Sequence, residues 1–300
     1  MPKPFRGHSE VIQRNAIKSW TLLHPDIEVI LFGEEEGVAD VAGELGIRHE
    51  LHVKRNEFGT PLLDSVLDRA HEIARHPILC YVNCDIVLLH DFSDAVSKVA
   101  AWRDQFLMVG RRWDTDVAEL IDFSPPDWGK RLRTLALQTN RQRSPQWIDY
   151  FAFSRGLYHQ QVPPFAIGRP GYDQWMVWFA RNSRAAVVDA SGSVVAVHQN
   201  HDYSHHPLGF QGVMDGEEAQ SNARLVGGRR HLFTIENAQY LLEKEGVKRN
   251  YRRLIADFKV LRSSAWYGML GVTRPVRHRL GLRQGFLEKG RGKGGSGGRA

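Results

Sequence analysis

The stretch Ile78-Leu79-Cys80-Tyr81-Val82-Asn83-Cys84-Asp85-Ile86 decides the fold. Ile78 to Val82 is apolar throughout, as expected of a strand covered on both faces, the habit of parallel sheets in α/β proteins. Asn83-Cys84-Asp85 then ends the apolar run. A carboxylate just past the C-terminal end of a buried strand stands where open α/β sheets bind ligands. Hard divalent cations take oxygen ligands, and magnesium or manganese can bridge one carboxylate to a diphosphate. Asp85 is therefore a candidate metal ligand, and Asn83 can add a carbonyl oxygen or a hydrogen bond. The same Asp85 also suits a turn or a cap on the following segment. Cys80 and Cys84 read as two thiols on one strand. At that spacing they point the same way and cannot close a disulfide. We expect buried free thiols and a reducing cytoplasm.

Outward from this strand, helix and strand signals alternate. Ile12, Ala16, Trp20 and Leu23 share a helical face, and Glu28–Phe32 is a short strand. Val38–Leu45 is a helix ended by Gly46. Thr60 caps the next helix, with Pro61 at its first position and Leu63, Val66, Leu67, Ala70 and Ala74 on its apolar side. Phe92–Arg103 reads as helix and Phe106–Gly110 as strand. Residues 113–148 are less regular. Tyr150–Ser154 is a strand, Asp173–Asn182 a Trp-rich helix, and Ala185–Val188 and Val194–Val197 are strands. After His206 only helices are expected, over Glu217–Leu225, Ile235–Glu245 and Tyr251–Leu261. The fold class is α/β, a mixed and mostly parallel sheet flanked by helices with a helical C-terminal extension. The expected division is a domain over 1–206, a helical extension over 207–265 and a basic, Gly-rich tail over 266–300, disordered toward its end.

The 300 residues are 42% hydrophobic and 25% charged, ordinary for a globular chain with a sizeable core. The start lacks an apolar run, so no signal peptide is expected. No apolar stretch reaches the roughly 20 residues of a membrane span. The net charge of +6 is unevenly placed: residues 274–300 hold eight Lys or Arg and one acid. The rest carries 32 basic and 33 acidic residues. A neutral body argues against nucleic acid as a partner.

Two further constellations can carry chemistry. Gly168-Arg169-Pro170-Gly171-Tyr172-Asp173-Gln174-Trp175 makes a tight approach to a helix with Asp173 at its start. Asp173 is either an N-cap or a general base taking a proton from an acceptor hydroxyl. Trp175 and Trp178 suit core packing, or offer stacking faces to a sugar. His198-Gln-Asn-His-Asp-Tyr-Ser-His-His206 follows a strand and packs four histidines and one aspartate into nine residues. It is either a solvated loop or a source of metal ligands that complete a site begun by a distant Asp. His201 and His205 have the spacing of a zinc pair, without the Glu of a metalloprotease motif. Neither common glycine-rich phosphate loop is present, so a nucleotide would be held through a metal and scattered side chains.

With these residues in order, the chain resembles the GT-A glycosyltransferases, specifically bacterial family-2-like nucleotide-diphospho-sugar transferases. The phrases that carry the resemblance are Pro-Lys-Pro-Phe at 2–5, Ile-Gln-Arg-Asn-Ala-Ile-Lys-Ser-Trp at 12–20, Arg-Asn-Glu-Phe-Gly-Thr-Pro at 55–61 and Tyr-Val-Asn-Cys-Asp-Ile at 81–86. They continue with Val-Gly-Arg-Arg-Trp-Asp at 109–114, Pro-Pro-Phe-Ala-Ile-Gly-Arg-Pro-Gly at 163–171 and His-Gln-Asn-His-Asp-Tyr-Ser-His at 198–205. The resemblance implies that Asp85, with Asn83, stands at the Asp-x-Asp motif that holds Mn2+ or Mg2+ on the donor diphosphate. It implies a further metal ligand at His198 and an inverting reaction with Asp173 as base. Glu34, Arg55 and Asn56 would contact base, ribose or phosphate on the donor side. Arg112, Trp113, Asp114, Asp149 and Arg169 would contact sugar or phosphate. Two departures stand out. The motif begins with Asn, one negative charge fewer, and the chain starts at about the end of the strand with which these folds open.

The implied co-substrate is a nucleotide-diphosphate sugar and the acceptor a glycan or lipid-linked hydroxyl, in cell-envelope glycan synthesis. The segment Trp266–Arg283 mixes aromatic and apolar residues with arginines. That composition suits peripheral contact with an anionic membrane, on the cytoplasmic face, or else a packed terminal helix. A nucleotidyltransferase and a catalytically silent nucleotide- or glycan-binding protein are the alternative functions.

Overall fold

The computed structural model describes residues 1–201 and 209–263. The tail segment expected at the membrane, the zinc alternative's His205 and the Gly-rich terminus lie outside these residues. In chain order the elements are α1 (Gly7–Thr21), β1 (Ile30–Phe32), α2 (Val38–Leu45), β2 (Arg48–Glu50), α3 (Leu63–Ile73), β3 (Ile78–Val82) and β4 (Ile86–Val87). Next come α4 (His90–Trp102), β5 (Phe106–Val109), β6 (Arg112–Thr115), α5 (Trp128–Gln138), β7 (Tyr150–Ser154), α6 (Tyr172–Asn182), β8 (Ala186–Asp189) and β9 (Ala196–Gln199). The chain continues through α7 (Gly209–Asp215), α8 (Glu217–Val226), β10 (Tyr240–Glu243) and β11 (Gly246–Arg249), and residues 253–263 are helical.

The central sheet is mixed and runs β11-β10-β8-β5-β7-β3. β5, β8 and β10 are parallel, whereas β7 is antiparallel to both β5 and β3. The inner strands β5 and β7 are buried throughout, and side chains alternate between the two faces. Phe106 and Met108 of β5, Tyr150 and Ala152 of β7 and Val188 of β8 face one core, closed by Ile17, Trp20, Val41, Phe92 and Val99 from α1, α2 and α4. Leu107, Val109, Phe151, Phe153 and Val187 face the other, closed by Leu63, Leu67, Trp175, Met176 and Val226 from α3, α6 and α8.

A second sheet, β4-β9-β6, lies beside the first and has its own apolar backing from Trp128, Leu132 and Ala136 of α5. β1 and β2 form a third, parallel pair. β1 does not pair with β3. The two stand on either side of a cavity of about 140 Å³, lined by Trp20, Leu23, Leu31, Leu79, Val82 and Phe92 among others. Met1 and Cys84 also line it, so the cavity reaches the Asn83-Cys84-Asp85 turn.

Several expectations need correction. Residues Ile235–Glu245 are not a helix: a single 3-10 turn over Ile235–Asn237, capped by Thr234, leads into the hairpin β10–β11. Here pairing outranks helical spacing, because Tyr240 and Leu241 extend the sheet alongside Val188 and Asp189 and bury Leu242. Pro61 is not in the first turn of α3. Pro61 and Leu62 are extended and bridge to Arg55 and Ala166, so the helix opens at Leu63. The irregular reading of 113–148 misses α5 and β6. Cys84 is in the turn beyond β3, and Cys80 is exposed rather than buried; both thiols are free.

Gly110, where β5 turns toward β6, is a close approach that only glycine permits. A Cβ there would overlap the buried Tyr150 hydroxyl and lie 3.2 Å from the Ser191 backbone nitrogen. Gly110→Ala should therefore cost about 1–3 kcal/mol, the usual overpacking range. The Tyr150 hydroxyl has no hydrogen-bond partner. Tyr150→Phe should then recover part of the loss in the double variant, the ring carbon at 3.0 Å remaining close, a coupling that thermal denaturation reads directly.

Candidate metal and ligand site

The site is assembled by strand register. β9 is the middle strand of the small sheet, and His198 sits opposite Ile86 of β4 on one side and Asp114 of β6 on the other. Asp85 immediately precedes Ile86, so both carboxylates flank one imidazole. His198 Nε2 is 3.6 Å from Asp85 Oδ2, and its Nδ1 is 3.2 Å from Asp114 Oδ1. His201, just past β9, brings its Nε2 to 3.0 Å from the same Asp85 Oδ2. Ligand atoms of Asp85, His198 and His201 all lie within 4.8 Å of one another.

Charge around this triad is closely balanced. Arg112 is buried and reaches two acids, Asp114 through Nε at 3.1 Å and Asp149 through Nη1 at 2.9 Å. Asn83 donates its side-chain amide to Asp149 at 2.8 Å, and its backbone N–H also donates to the Asp149 carbonyl. Arg143 closes on Asp114 at 2.6 Å. Burial works against a charged His198, but the Asp85 and Asp114 carboxylates outweigh it and raise the imidazole to about 9. Burial also opposes ionised Asp85, and His198 and His201 overcome it, holding that carboxyl well below its usual range. Even so, Asp85 Oδ1 and Asp149 Oδ2 are buried with no hydrogen-bond partner. Orphaned carboxylate oxygens beside two imidazoles fit a hard or borderline divalent cation with mixed oxygen and nitrogen ligands.

α1 backs the site. Trp20 Nε1 donates to the Ile86 carbonyl at 2.9 Å, and Ser19 Oγ accepts from the Leu88 N–H. Asn15 Nδ2 donates to Gln199 Oε1 at 2.9 Å, while Gln199 Nε2 donates to the Ile12 carbonyl.

Asp173 is in the first turn of α6, entered through Gly171 at φ +108°. Burial pushes its carboxyl up to about 7, with the Asp149 charge adding to the effect. Trp175 is core, stacked on Phe179 and edge-on to Phe165, and Trp178 lies against His231. Trp113 is half-buried and packs against the α5 core.

The remaining donor-side candidates form a separate cluster. Arg55 pairs with Glu35 at 2.7 Å, and Asn56 donates to Glu218 at 2.7 Å. Glu218 also pairs with Arg169 at 2.5 Å. Glu34 is exposed beyond β1. The structure thus joins Asn83, Asp85, Arg112, Asp114, Asp149 and His198, and separately gathers Arg55, Asn56 and Arg169. His201 was named from sequence only in the alternative zinc pair with His205, and Glu218 and Arg143 were not singled out. His201 had a signal, its place three residues after His198 in a His-rich run; Glu218 and Arg143 had none.

No protein-family model matches the sequence, and no curated protein does. Among solved structures, the chain is similar to glucosyl-3-phosphoglycerate synthase from Mycobacterium tuberculosis in complex with Mn2+, uridine-diphosphate and phosphoglyceric acid. The identity is 19%, over 66% of this chain and 69% of that one, with a TM-score of 0.40. The same enzyme with Mn2+, uridine-diphosphate-glucose and phosphoglyceric acid aligns at 17% identity over 74% of this chain and 75% of that one, with a TM-score of 0.43. A further mycobacterial protein aligns at 17% identity over 68% and 67%, with a TM-score of 0.41.

Asp114 orients His198 from behind, as carboxylates commonly do for metal-bound histidines. Asp114→Asn should weaken Mn2+ affinity about 10- to 100-fold, the range for such supporting partners. Asp85→Ala should abolish binding. Isothermal titration of the wild type and both variants with Mn2+ checks this.

Proposed function

We propose that this chain is a GT-A glycosyltransferase that moves a sugar from a nucleotide-diphosphate sugar to a hydroxyl acceptor, with inversion. The reading is supported chiefly by one observation: Asp85, in the turn after edge strand β3 and with one oxygen orphaned, meets His198 and His201 at the end of β9. Asp85, His198 and His201 would hold Mn2+ or Mg2+. When bound, the ion would neutralise charge on the departing nucleoside diphosphate.

The protein's own residues do the rest. Asp114 and Arg112 fix the ligands, and Asn83 positions Asp149. Asp173 takes the proton of the acceptor hydroxyl as its oxygen forms the new bond to the anomeric carbon. The old carbon–oxygen bond breaks with its electron pair leaving on the diphosphate. A carboxyl near 7 suits this task, because it is substantially ionised at neutral pH yet basic enough to accept a proton. Arg55, Asn56 and Arg169 with Glu34 would line the donor side, and Trp113 and Asp149 the sugar side. The free thiols fit a reducing compartment such as the cytoplasm, where a glycan or lipid-linked acceptor in cell-envelope synthesis would be met.

Thermal-shift titration with UDP, GDP, CDP and dTDP, each with and without Mn2+, should give a metal-dependent rise with one nucleotide. The rise should vanish in Asp85→Ala. Turnover of the matching nucleotide sugar separates a transferase from a silent binding protein; nucleotide binding without turnover would favour the latter.

Asp173→Asn should lower the transfer rate about 10²- to 10⁴-fold, the span of general-base contributions. In the wild type the base form grows as pH rises, so the rate should climb through about pH 7, and this limb should disappear in the variant. Stability runs the opposite way. The folded carboxyl keeps its proton up to about 7 whereas the unfolded one loses it near 3.8, so ionisation of this group destabilises the fold as pH rises between them.

A further inference from the structure

The helix over 253–263 carries an apolar face with no partner among the described residues. Tyr251, Leu254, Ile255, Phe258 and Leu261 are 73%, 57%, 63%, 63% and 66% exposed. They are five of the eleven large exposed hydrophobics among the described residues, all within one short stretch. At 100° per residue the four within the helix, Leu254, Ile255, Phe258 and Leu261, fall in a stripe about 120° wide.

The opposite side fixes the helix's orientation. Ala256 is buried, and Asp257 accepts both Arg181 nitrogens, at 2.5 and 2.7 Å, together with the Asn237 amide and Arg253. Asp257 is the only acid of the helix, so its negative charge is consumed against the body. The charges left exposed, Arg252, Lys259 and Arg262, are all positive; Arg252 and Lys259 border the apolar stripe beyond Ile255, and Arg262 falls within it between Phe258 and Ile255. The sequence beyond adds eight Lys or Arg and one acid over 274–300.

We infer that this face docks on an anionic lipid surface, with Leu254, Ile255, Phe258 and Leu261 entering the acyl boundary and Arg252, Lys259 and Arg262 meeting the headgroups. An apolar stripe with a cationic border, held outward by a rigid anchor, is the form of an interfacial helix. A two-fold pairing of two such faces would set like charges against like at the same seam, which disfavours a second copy as occupant. No described helix is long and apolar enough to cross a membrane, so the contact is peripheral. The inference is independent of the sugar-transfer reading.

The test is co-sedimentation of the full chain with vesicles of phosphatidylcholine alone or with about a third phosphatidylglycerol. The wild type should bind the anionic vesicles, and binding should weaken as salt rises. Ile255→Ser with Phe258→Ser and Leu261→Ser, all exposed, should leave the melting temperature unchanged and lower binding at least tenfold. Lys259→Glu with Arg262→Glu should weaken anionic binding alone. Unchanged binding of the serine variant would overturn the proposal, since the basic tail would then suffice. Equal binding to neutral vesicles would overturn its charge element. A dimer in light scattering, lost in the serine variant and accompanied by no vesicle binding, would show that the face pairs with itself instead.

Discussion

His198 held between two carboxylates is the interaction on which the rest of the site depends. It works only because β9 is flanked on both sides, with Asp114 in register on β6 and Asp85 at the start of β4. A shift of one residue in β9 would turn His198 to the other face and bring a neighbour into its place. Arg112 then ties this small sheet to the central one, since its second partner, Asp149, stands at the head of β7. One buried guanidinium thus couples two sheets that share no strand.

The register is itself protected by an unusual polar contact surface on α1. Asn15, Ser19 and Trp20 share a helix with Ile12, Ala16 and Ile17, and all are buried. The apolar residues fill the core, while the polar ones satisfy backbone and side-chain groups of β4 and β9 that have no ladder partner. Buried polar groups of this kind are specific rather than strongly stabilising, because each fits only one arrangement. Helix α1 therefore determines where the His198 strand lies as well as how tightly it packs.

What could be read from sequence follows from how local each signal was. β3, α4, α6, α8 and the Asp85 turn were legible because a continuous apolar run or a helical stripe is contained in a few consecutive residues. That a histidine of the His198 run could complete a site begun by a distant Asp was legible too, but its pairing with Asp85 came through the family resemblance, since the register that joins them spans more than a hundred residues. β6, β10 and β11 were not legible. They are short and stabilised by neighbours distant in sequence, and β10 and β11 are also partly exposed, so Tyr240–Glu243 carries a helical pattern and becomes strand once Val188 offers an edge. The partners of His201 and Glu218, Asp85 and Arg169, were obscured differently. A histidine in a polar run and a glutamate in a helix's first turn are ordinary until the fold places an acid or an arginine opposite them.

The charge balance of the cluster also explains why such a site exists at all. Leaving a buried carboxylate oxygen without a donor costs about 1–3 kcal/mol, and here both Asp85 and Asp149 do so. An apolar trio in the same register would pack without that penalty. Arg112 and protonated His198 supply positive charge, yet Arg112 is directed at Asp114 and Asp149, and Asp85 is left with imidazoles alone. The carboxylate least served by fixed cations is the one at the open end of the strand, half-buried rather than sealed. A fixed arginine there would complete the balance and block the position. An imidazole can yield its proton when another cation arrives, so the site is balanced when empty and still able to accept a ligand.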